Sequence, residues 1–182
     1  MRNSGNSRVL CWSVNQWRST AILAIVLSVV AVAGVLGYRH LESATMPSAT
    51  SLVLDRLDRP GTNRLSDWHG TPLVVNLFAS WCPACLTEMP AFEKVSHDYT
   101  GRVVVVGVDT QDSPAAGLAM ARRLGVTYPL LSDTSRAELY AALGGQGMPA
   151  TAFIGHDGNL KQVYSGELDE QLLRQLIDRL LQ

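Results

Sequence analysis

Two cysteines separated by two residues are the side chains of this sequence best suited to chemistry. Cys82 and Cys85 enclose a Pro-Ala dipeptide, and the third cysteine, Cys11, lies near the start of the chain. Such a pair can carry out thiol-disulfide exchange, in which a thiolate attacks a disulfide and a neighbouring thiol resolves the mixed disulfide. With only one cysteine left over, the sequence has no framework of structural disulfides.

The residues around the pair predict a different role for each cysteine. An apolar run typical of a buried strand precedes Cys82, and Pro83 suits the first position of a helix, so Cys82 should lie at a helix N-terminus. Free amides and the helix dipole favour a thiolate at that position. We therefore expect Cys82 to be an exposed nucleophile. Cys85, one turn deeper on the same helix face, is expected to be the resolving thiol.

A cysteine pair of this spacing has other possible uses. A zinc site would need four ligands, and the histidines are scattered along the chain, at His40, His69, His97 and His156. A purely structural disulfide across four residues would restrict little chain entropy. Binding of Cu(I) by Cys82, Cys85 and Met148 stays open as an alternative, because soft ligands suit that ion. The favoured exchange reaction needs no metal and no bound cofactor.

Alternating strands and helices are predicted from residue 51 to residue 182. Strands are expected where apolar and β-branched residues run together, and helices where apolar residues recur at helical spacing. The expected strands are 52–54, 63–65, 73–78, 102–108, 128–131, 151–154 and 160–165, and the expected helices are 83–99, 113–125, 134–143 and 169–181. This alternation, closed by a hairpin, predicts a mixed α/β sheet covered by helices on both sides.

The N-terminal region has the pattern of a membrane anchor. Residues 19–38 contain no charged side chain and would span about 30 Å as a helix, which is enough to cross a bilayer. Residues 1–18 carry three arginines and no acid, which favours a cytoplasmic N-terminal segment. A cleaved signal peptide is the alternative, but no convincing small-x-small site follows the span. We expect a single-pass signal-anchor helix in the cytoplasmic membrane, a linker at residues 39–50 and an extracytoplasmic domain, on the periplasmic or outer face, at residues 51–182.

A longer segment around the cysteines is similar to a known family. Residues 75–90, which read VNLFASWCPACLTEMP, resemble the active-site segment of the TlpA/ResA/CcmG group of thioredoxin-like proteins. The similarity extends over about residues 51–182. It implies a thioredoxin-like α/β fold, with a central mixed sheet flanked by helices, an N-terminal hairpin and an inserted βα element, preceded by one transmembrane helix. It also implies a protein thiol-disulfide oxidoreductase that faces the extracytoplasmic space.

Four more positions take roles from this resemblance. Trp81 matches an aromatic residue that shelters the redox site, with a plain core tryptophan as the alternative. Glu88 matches an active-site acid that would help to move protons for the Cys85 thiol, with a solvated helix charge as the alternative. Pro149 matches the cis-proline beside the cysteine pair. Met148, which precedes it, would pair through its backbone with an extended substrate segment.

Two further observations concern the ends of the predicted strands. Asn76 stands where cytosolic thioredoxins have a buried aspartate, and because asparagine cannot titrate, Glu88 is expected to substitute for it. Asp109, Gln111 and Asp112 follow the second long strand and are interpreted as an ordinary loop, with a place at the same end of the sheet as the cysteines as the alternative.

The predicted partners are protein thiols or disulfides, a membrane redox partner and the lipid bilayer, which residues 19–38 would cross. Outside residues 1–18, 12 basic residues face 16 acidic ones, so a nucleic-acid partner is not expected. The Pro-Ala dipeptide between the cysteines predicts that the reduction potential of the Cys82/Cys85 pair lies between those of thioredoxin and DsbA, at roughly −270 to −120 mV. This interval permits an oxidant of secreted proteins or a reductant that keeps apocytochrome cysteines reduced. We favour the reductant, because the anchor and Glu88 resemble the cytochrome c maturation members.

Overall fold

A computed structural model describes residues 49–133 and 137–182 of the chain. The predicted cytoplasmic segment at residues 1–18, the anchor at residues 19–38 and nearly all of the linker lie outside the described residues. Within the part that is described, no helix is long and apolar enough to cross a membrane.

Seven strands form one mixed sheet in the order β2-β1-β5-β4-β3-β6-β7. The strands are β1 (Leu54–Arg56), β2 (Thr62–Asn63), β3 (Leu73–Phe78), β4 (Val104–Thr110), β5 (Leu130–Asp133), β6 (Ala150–Ile154) and β7 (Leu160–Ser165). Strand β3 lies between β4, to which it is parallel, and β6, to which it is antiparallel. Every residue of β3 is buried, which explains its continuous apolar sequence.

Among the described residues, four α-helices cover the sheet: α1 (Pro83–Asp98), α2 (Pro114–Arg123), α3 (Glu138–Ala142) and α4 (Glu170–Leu180), and two short 3-10 helices lie at Ala49–Ser51 and Leu65–Trp68. Helices α1, α2 and α4 contribute to one apolar cluster, on the face of β3 that carries Val74 and Phe78. Helix α3 contributes Leu139 to a second cluster, on the face that carries Val75 and Leu77. The alternation of side chains along β3 thus divides the core into two layers.

The predicted thioredoxin-like α/β fold with a mixed sheet is confirmed. Strand β3 and the β6–β7 hairpin agree closely with expectation, because their apolar residues are bounded by clear turn signals. The N-terminal hairpin is present but shifted, since β1 begins at Leu54 and β2 ends at Asn63. Helix α3 begins at Glu138, four residues later than predicted, and residues 134–136 lie outside the described residues. Strand β4 ends at Thr110, two residues later than predicted.

Candidate active site

The cysteine pair lies where β3 passes into α1. Cys82 is the N-cap residue of α1, with extended φ and ψ values of −95° and 106°, and Pro83 occupies the first turn. The backbone N–H of Cys85 donates a hydrogen bond to Cys82 Sγ at 3.1 Å, and the two sulfur atoms form a disulfide. The sulfur of Cys82 therefore occupies the position of an N-cap acceptor, where the helix dipole stabilises negative charge.

Both cysteines are buried, and the expectation that Cys82 is exposed is wrong for this oxidised form. The exposed fraction is 2% for Cys82 and 0% for Cys85. Both cysteines belong to the apolar cluster that also contains Met89 and Phe92. The partly buried side chains of Ala84 and Met148 pack against the same cluster. A partner must therefore reach the sulfur by direct contact with this surface.

Glu88 lies beneath the cysteines on α1 and is 2% exposed, so the alternative of a solvated helix charge is wrong. Asn76 Nδ2, from the middle of β3, donates to Glu88 Oε1 at 2.7 Å. The backbone N–H of Leu168 donates to Glu88 Oε2 at 3.0 Å. Both carboxyl oxygens therefore have a protein donor. The structure thus places Glu88 beside Asn76, the position at which cytosolic thioredoxins have the aspartate whose role Glu88 is expected to take.

Burial raises the pKa of Glu88 from 4.5 to about 7, because desolvation disfavours the carboxylate more than the hydrogen bonds from Leu168 and Asn76 favour it. The nearby charge of Glu167 acts in the same direction as burial. At neutral pH both protonation states of Glu88 are populated. A carboxyl group with this pKa can accept and release a proton under physiological conditions.

Trp81, immediately before Cys82, is 54% exposed, so it is not a core tryptophan. Its indole Nε1–H donates to the carbonyl oxygen of Gln111 at 3.0 Å. The indole ring thus lies at the surface beside Cys82, fixed by the loop that follows β4. Leu86, one turn into α1, is also exposed, at 38%. These two apolar side chains are available to a partner of Cys82.

Pro149 lies at the same edge of the sheet as the cysteines. It directly precedes β6, whose first residue, Ala150, pairs with Leu77 near the end of β3. The Met148–Pro149 peptide bond is cis, as the resemblance implied. Pro149 is buried, and Met148 is partly buried against both apolar clusters. The antiparallel pairing of β6 with β3 therefore brings this loop to the cysteine pair.

The interpretation of Asp109 as part of an ordinary loop is wrong, whereas Gln111 and Asp112 do lie in the loop after β4. Asp109 is the penultimate residue of β4 and is fully buried, and Thr110, which ends the strand, is also buried. Asp112 Oδ2 accepts the backbone N–H of Ser80 at 2.5 Å. The available signal was the alternation of Val103, Val105, Gly107 and Asp109, which places Asp109 on the inner face if the strand continues.

The fold and the cysteine pair at the N-terminus of α1 define a thiol-disulfide oxidoreductase of the thioredoxin-like class. The chain belongs to the Redoxin family, whose model matches residues 41–177. The thiol:disulfide interchange protein DsbE of Pseudomonas fluorescens biotype C is 29% identical over 169 residues, which cover 88% of this chain and 91% of the relative. The thiol-disulfide oxidoreductase ResA of Geobacillus kaustophilus is 26% identical over 154 residues, which cover 84% and 88%. The solved structure of MTB DsbF superposes with a TM-score of 0.67 and 27% identity, over 75% of this chain and 99% of that one.

Proposed function

We propose that this protein exchanges a Cys82/Cys85 dithiol-disulfide with protein substrates outside the cytoplasmic membrane, and that it acts there as a reductant, with the dithiol reducing substrate disulfides. One observation carries the proposal: Cys82 caps α1 while the titratable Glu88 is buried one to two turns below it on the same helix. The helix N-terminus favours a thiolate at Cys82. The carboxyl group of Glu88 is positioned on the helix face of Cys85, three residues further along the chain.

In the reductive direction, the Cys82 thiolate attacks a disulfide of the substrate and forms a mixed disulfide, while the first substrate sulfur leaves as a thiolate. Cys85 then loses its proton and attacks Cys82 Sγ, which releases the second substrate sulfur. Two electrons pass from the dithiol to the substrate, and the Cys82–Cys85 disulfide forms. We assign Glu88 as the acceptor of the Cys85 proton, because its pKa of about 7 suits transfer at neutral pH.

Substrate contact is assigned to the surface around Cys82. Trp81 and Leu86 provide exposed apolar surface on one side of the cysteine. Met148 packs against the cluster that contains Cys82, and its backbone would pair with an extended segment of the substrate. A protein substrate with apolar residues flanking its cysteine fits this surface.

The direction and place of the reaction rest on the sequence and on the relatives. Residues 19–38 would anchor the protein in the cytoplasmic membrane, with residues 1–18 inside and residues 51–182 on the outer side. A reductant in an oxidising compartment needs a supply of electrons, which a membrane redox partner would deliver. The similarity to DsbE and ResA supports this arrangement. Apocytochrome c cysteines are the proposed substrates, as in cytochrome c maturation.

The test is the reduction potential of Cys82/Cys85 together with the redox state of the pair in growing cells. A largely reduced population in cells supports the reductant, and a largely oxidised one would indicate an oxidant of secreted proteins instead. Copper titration of the reduced protein addresses the metallochaperone alternative. Stoichiometric tight Cu(I) binding with negligible reduction of a protein disulfide, such as that of insulin, would reject the exchange function.

A further inference from the structure

The β4–α2 loop holds the two residues that precede the nucleophile. Asp112 Oδ2 accepts the backbone N–H of Ser80 at 2.5 Å, and the carbonyl oxygen of Gln111 accepts Trp81 Nε1–H at 3.0 Å. Asp112 Oδ1 also accepts the N–H of Ser113 at 2.7 Å. Gln111 has a positive φ of 54°, a conformation that a non-glycine residue adopts only when its surroundings hold it there. The loop therefore holds Ser80 through its backbone N–H and Trp81 through its indole N–H.

Behind this loop lies Asp109, a buried carboxyl group that the exchange mechanism does not use. Neither of its oxygens accepts a hydrogen bond from the described residues. An ionised carboxylate without a donor is expensive to bury, so the group needs either a proton or a partner. The charged neighbour that acts on it most strongly is the carboxyl group of Asp112, which lies within hydrogen-bonding reach. Two carboxyl groups can form a hydrogen bond only when one of them holds a proton.

Space for the buried carboxyl group is provided by α2. A Cβ atom at Gly117 would lie 2.4 Å from Asp109 Cγ, so the carboxyl group packs directly against the helix backbone. Gly117 has no unusual backbone angle, and the contact with Asp109 is what requires a glycine there. The side chain of Asp109 is thus held in one place and cannot turn towards solvent.

We propose that Asp109 and Asp112 hold one proton between them, and that this proton keeps Ser80 and Trp81 in the position that exchange at Cys82 requires. Asp109 and Asp112 are positioning residues, since they act through residues 80 and 81. The inference deepens the proposed function and rests on it. With the proton present, Asp109 donates to Asp112, and the Asp112 carboxylate keeps its bonds to Ser80 and Ser113. Without it, two negative charges face each other and the Asp112 contact to Ser80 is weakened.

The electrostatics of the pair agree with this arrangement. Burial and then the Asp112 charge raise the pKa of Asp109 from 3.8 to about 8. The pKa of Asp112 is lowered, because the hydrogen bonds from Ser80 and Ser113 outweigh the opposing effect of its partial burial. At neutral pH the pair therefore carries one proton and one negative charge, and the proton is lost as the pH rises through about 8.

Other groups around Asp109 do not supply a competing charge. On the same face of the sheet as Asp109, Glu88 of α1 is buried and its pKa is about 7. Asp133 of β5 is also buried, but its carboxyl group accepts hydrogen bonds from the backbone N–H groups of Leu139 and Tyr140, at the cluster on the opposite face. The residues that adjoin Asp109 from the remaining elements are uncharged: Phe78 on β3, Ser132 on β5 and Gly117 on α2. The titration of Glu88 must therefore be removed by substitution, so that a pH profile reports on Asp109.

The test uses the full-length oxidised protein, in which Cys82 and Cys85 do not titrate, and follows the Ser80 amide by NMR from pH 6 to pH 10. We expect a chemical-shift transition near pH 8 in the wild type and none in D109N, whose amide donates to Asp112 at every pH. The E88Q control retains the transition near pH 8. D112N lowers its midpoint, because it removes the charge that helps to keep Asp109 protonated. D55N, an exposed substitution on β1, leaves the transition unchanged.

A second measurement links the proton to exchange. We expect the ratio of the wild-type to the D109N exchange rate to fall by about tenfold between pH 7 and pH 9, the effect of losing one hydrogen bond to a charged acceptor. A Ser80 transition that persists in D109N, or a ratio that does not change with pH, would overturn the shared proton. Wild-type protein that lacks exchange activity but has the Ser80 transition would instead overturn the proposed function, so the two failures are distinguishable.

Discussion

Replacement of Glu88 by glutamine tests the buried acid without removing its volume. The Leu168 N–H can still donate to the remaining side-chain oxygen. Asn76 Oδ1 is buried and has no hydrogen-bond partner among the described residues, so rotation of the Asn76 amide would offer an acceptor to the new N–H group. The substitution therefore keeps both hydrogen bonds, and its main effect is to remove a titrating group.

The magnitude follows from the pKa. Each pKa unit corresponds to about 1.4 kcal/mol, so a pKa raised from 4.5 to about 7 corresponds to about 3 kcal/mol between the two protonation states. The folded protein retains this proton at pH values where the unfolded chain has lost it. The contribution of Glu88 to the free energy of unfolding therefore falls as the pH rises from about 4.5 to about 7, and is level above that.

The assay is urea denaturation of the oxidised protein between pH 4 and pH 8. E88Q lacks this fall, so its stability relative to the wild type should increase by about 3 kcal/mol across the interval. E93Q is the matched control on the same helix. Burial tends to raise the pKa of Glu93, but hydrogen bonds from Thr127 and His97 outweigh it and lower the pKa. Its contribution is present above pH 4.5 and is lost as the pH falls through the lowered pKa, which is the opposite sign.

The same substitution should also change the rate of disulfide exchange. If Glu88 accepts the proton of Cys85, E88Q should reduce the rate of protein disulfide exchange at pH 7 by about 100-fold, at the lower end of the effect of a general base. A variant that is more stable at pH 7 and slower in exchange would separate the catalytic role from a structural one. Equal pH dependence of stability in the wild type and E88Q would refute the burial argument.

Three further substitutions test the cysteine roles and the packing around them. C85S should trap mixed disulfides with substrate proteins through Cys82, visible on non-reducing gels, because the resolving thiol is absent. G117A should lower the free energy of unfolding by about 2 kcal/mol, because the clash with Asp109 outweighs the better helix propensity of alanine. F92A should lower it by about 3 to 5 kcal/mol, since Phe92 is fully buried in the cluster that supports the cysteines.

Each of these three results has a direct control. The double variant C82S/C85S should form no adducts, and adducts that persist in it would mean that Cys82 is not the attacking residue. G117A in a D109A background should lose its penalty, because no carboxyl group meets the new methyl. V53A removes an exposed side chain, at 55%, and should change stability by less than about 0.5 kcal/mol.

Local sequence determined the strand that precedes the cysteines and the start of the helix that carries them. A continuous apolar run gives β3, and Pro83 at the first turn gives the start of α1, so these neighbours are enough to place Cys82 at a helix N-terminus. Residues three apart on one helix share a face, which places Glu88 with Cys85. The cis-proline could be predicted only from resemblance, since most X-Pro bonds are trans.

The sequence did not reveal that the carboxyl side chains of two acidic residues are buried. Glu88 and Asp109 are charged residues that composition places at the surface, and Asp109 lies beyond the predicted end of its strand. Their surroundings come from distant parts of the chain: Leu168 and Asn76 around Glu88, and Gly117 beside Asp109. Desolvation depends on these contacts, and so do the pKa values that the proposed chemistry requires.

The sequence by itself therefore determined which residues are proposed to react, because a cysteine pair at a helix N-terminus is a local feature. The tertiary structure alone decided how their protons are handled. It buried Cys82 in the oxidised form, gave Glu88 a pKa near neutrality and joined Ser80 to Asp112 across 32 residues of chain. Spacing along a chain defines neighbours on one helix or strand, whereas a low-dielectric environment exists only after separate elements have packed together.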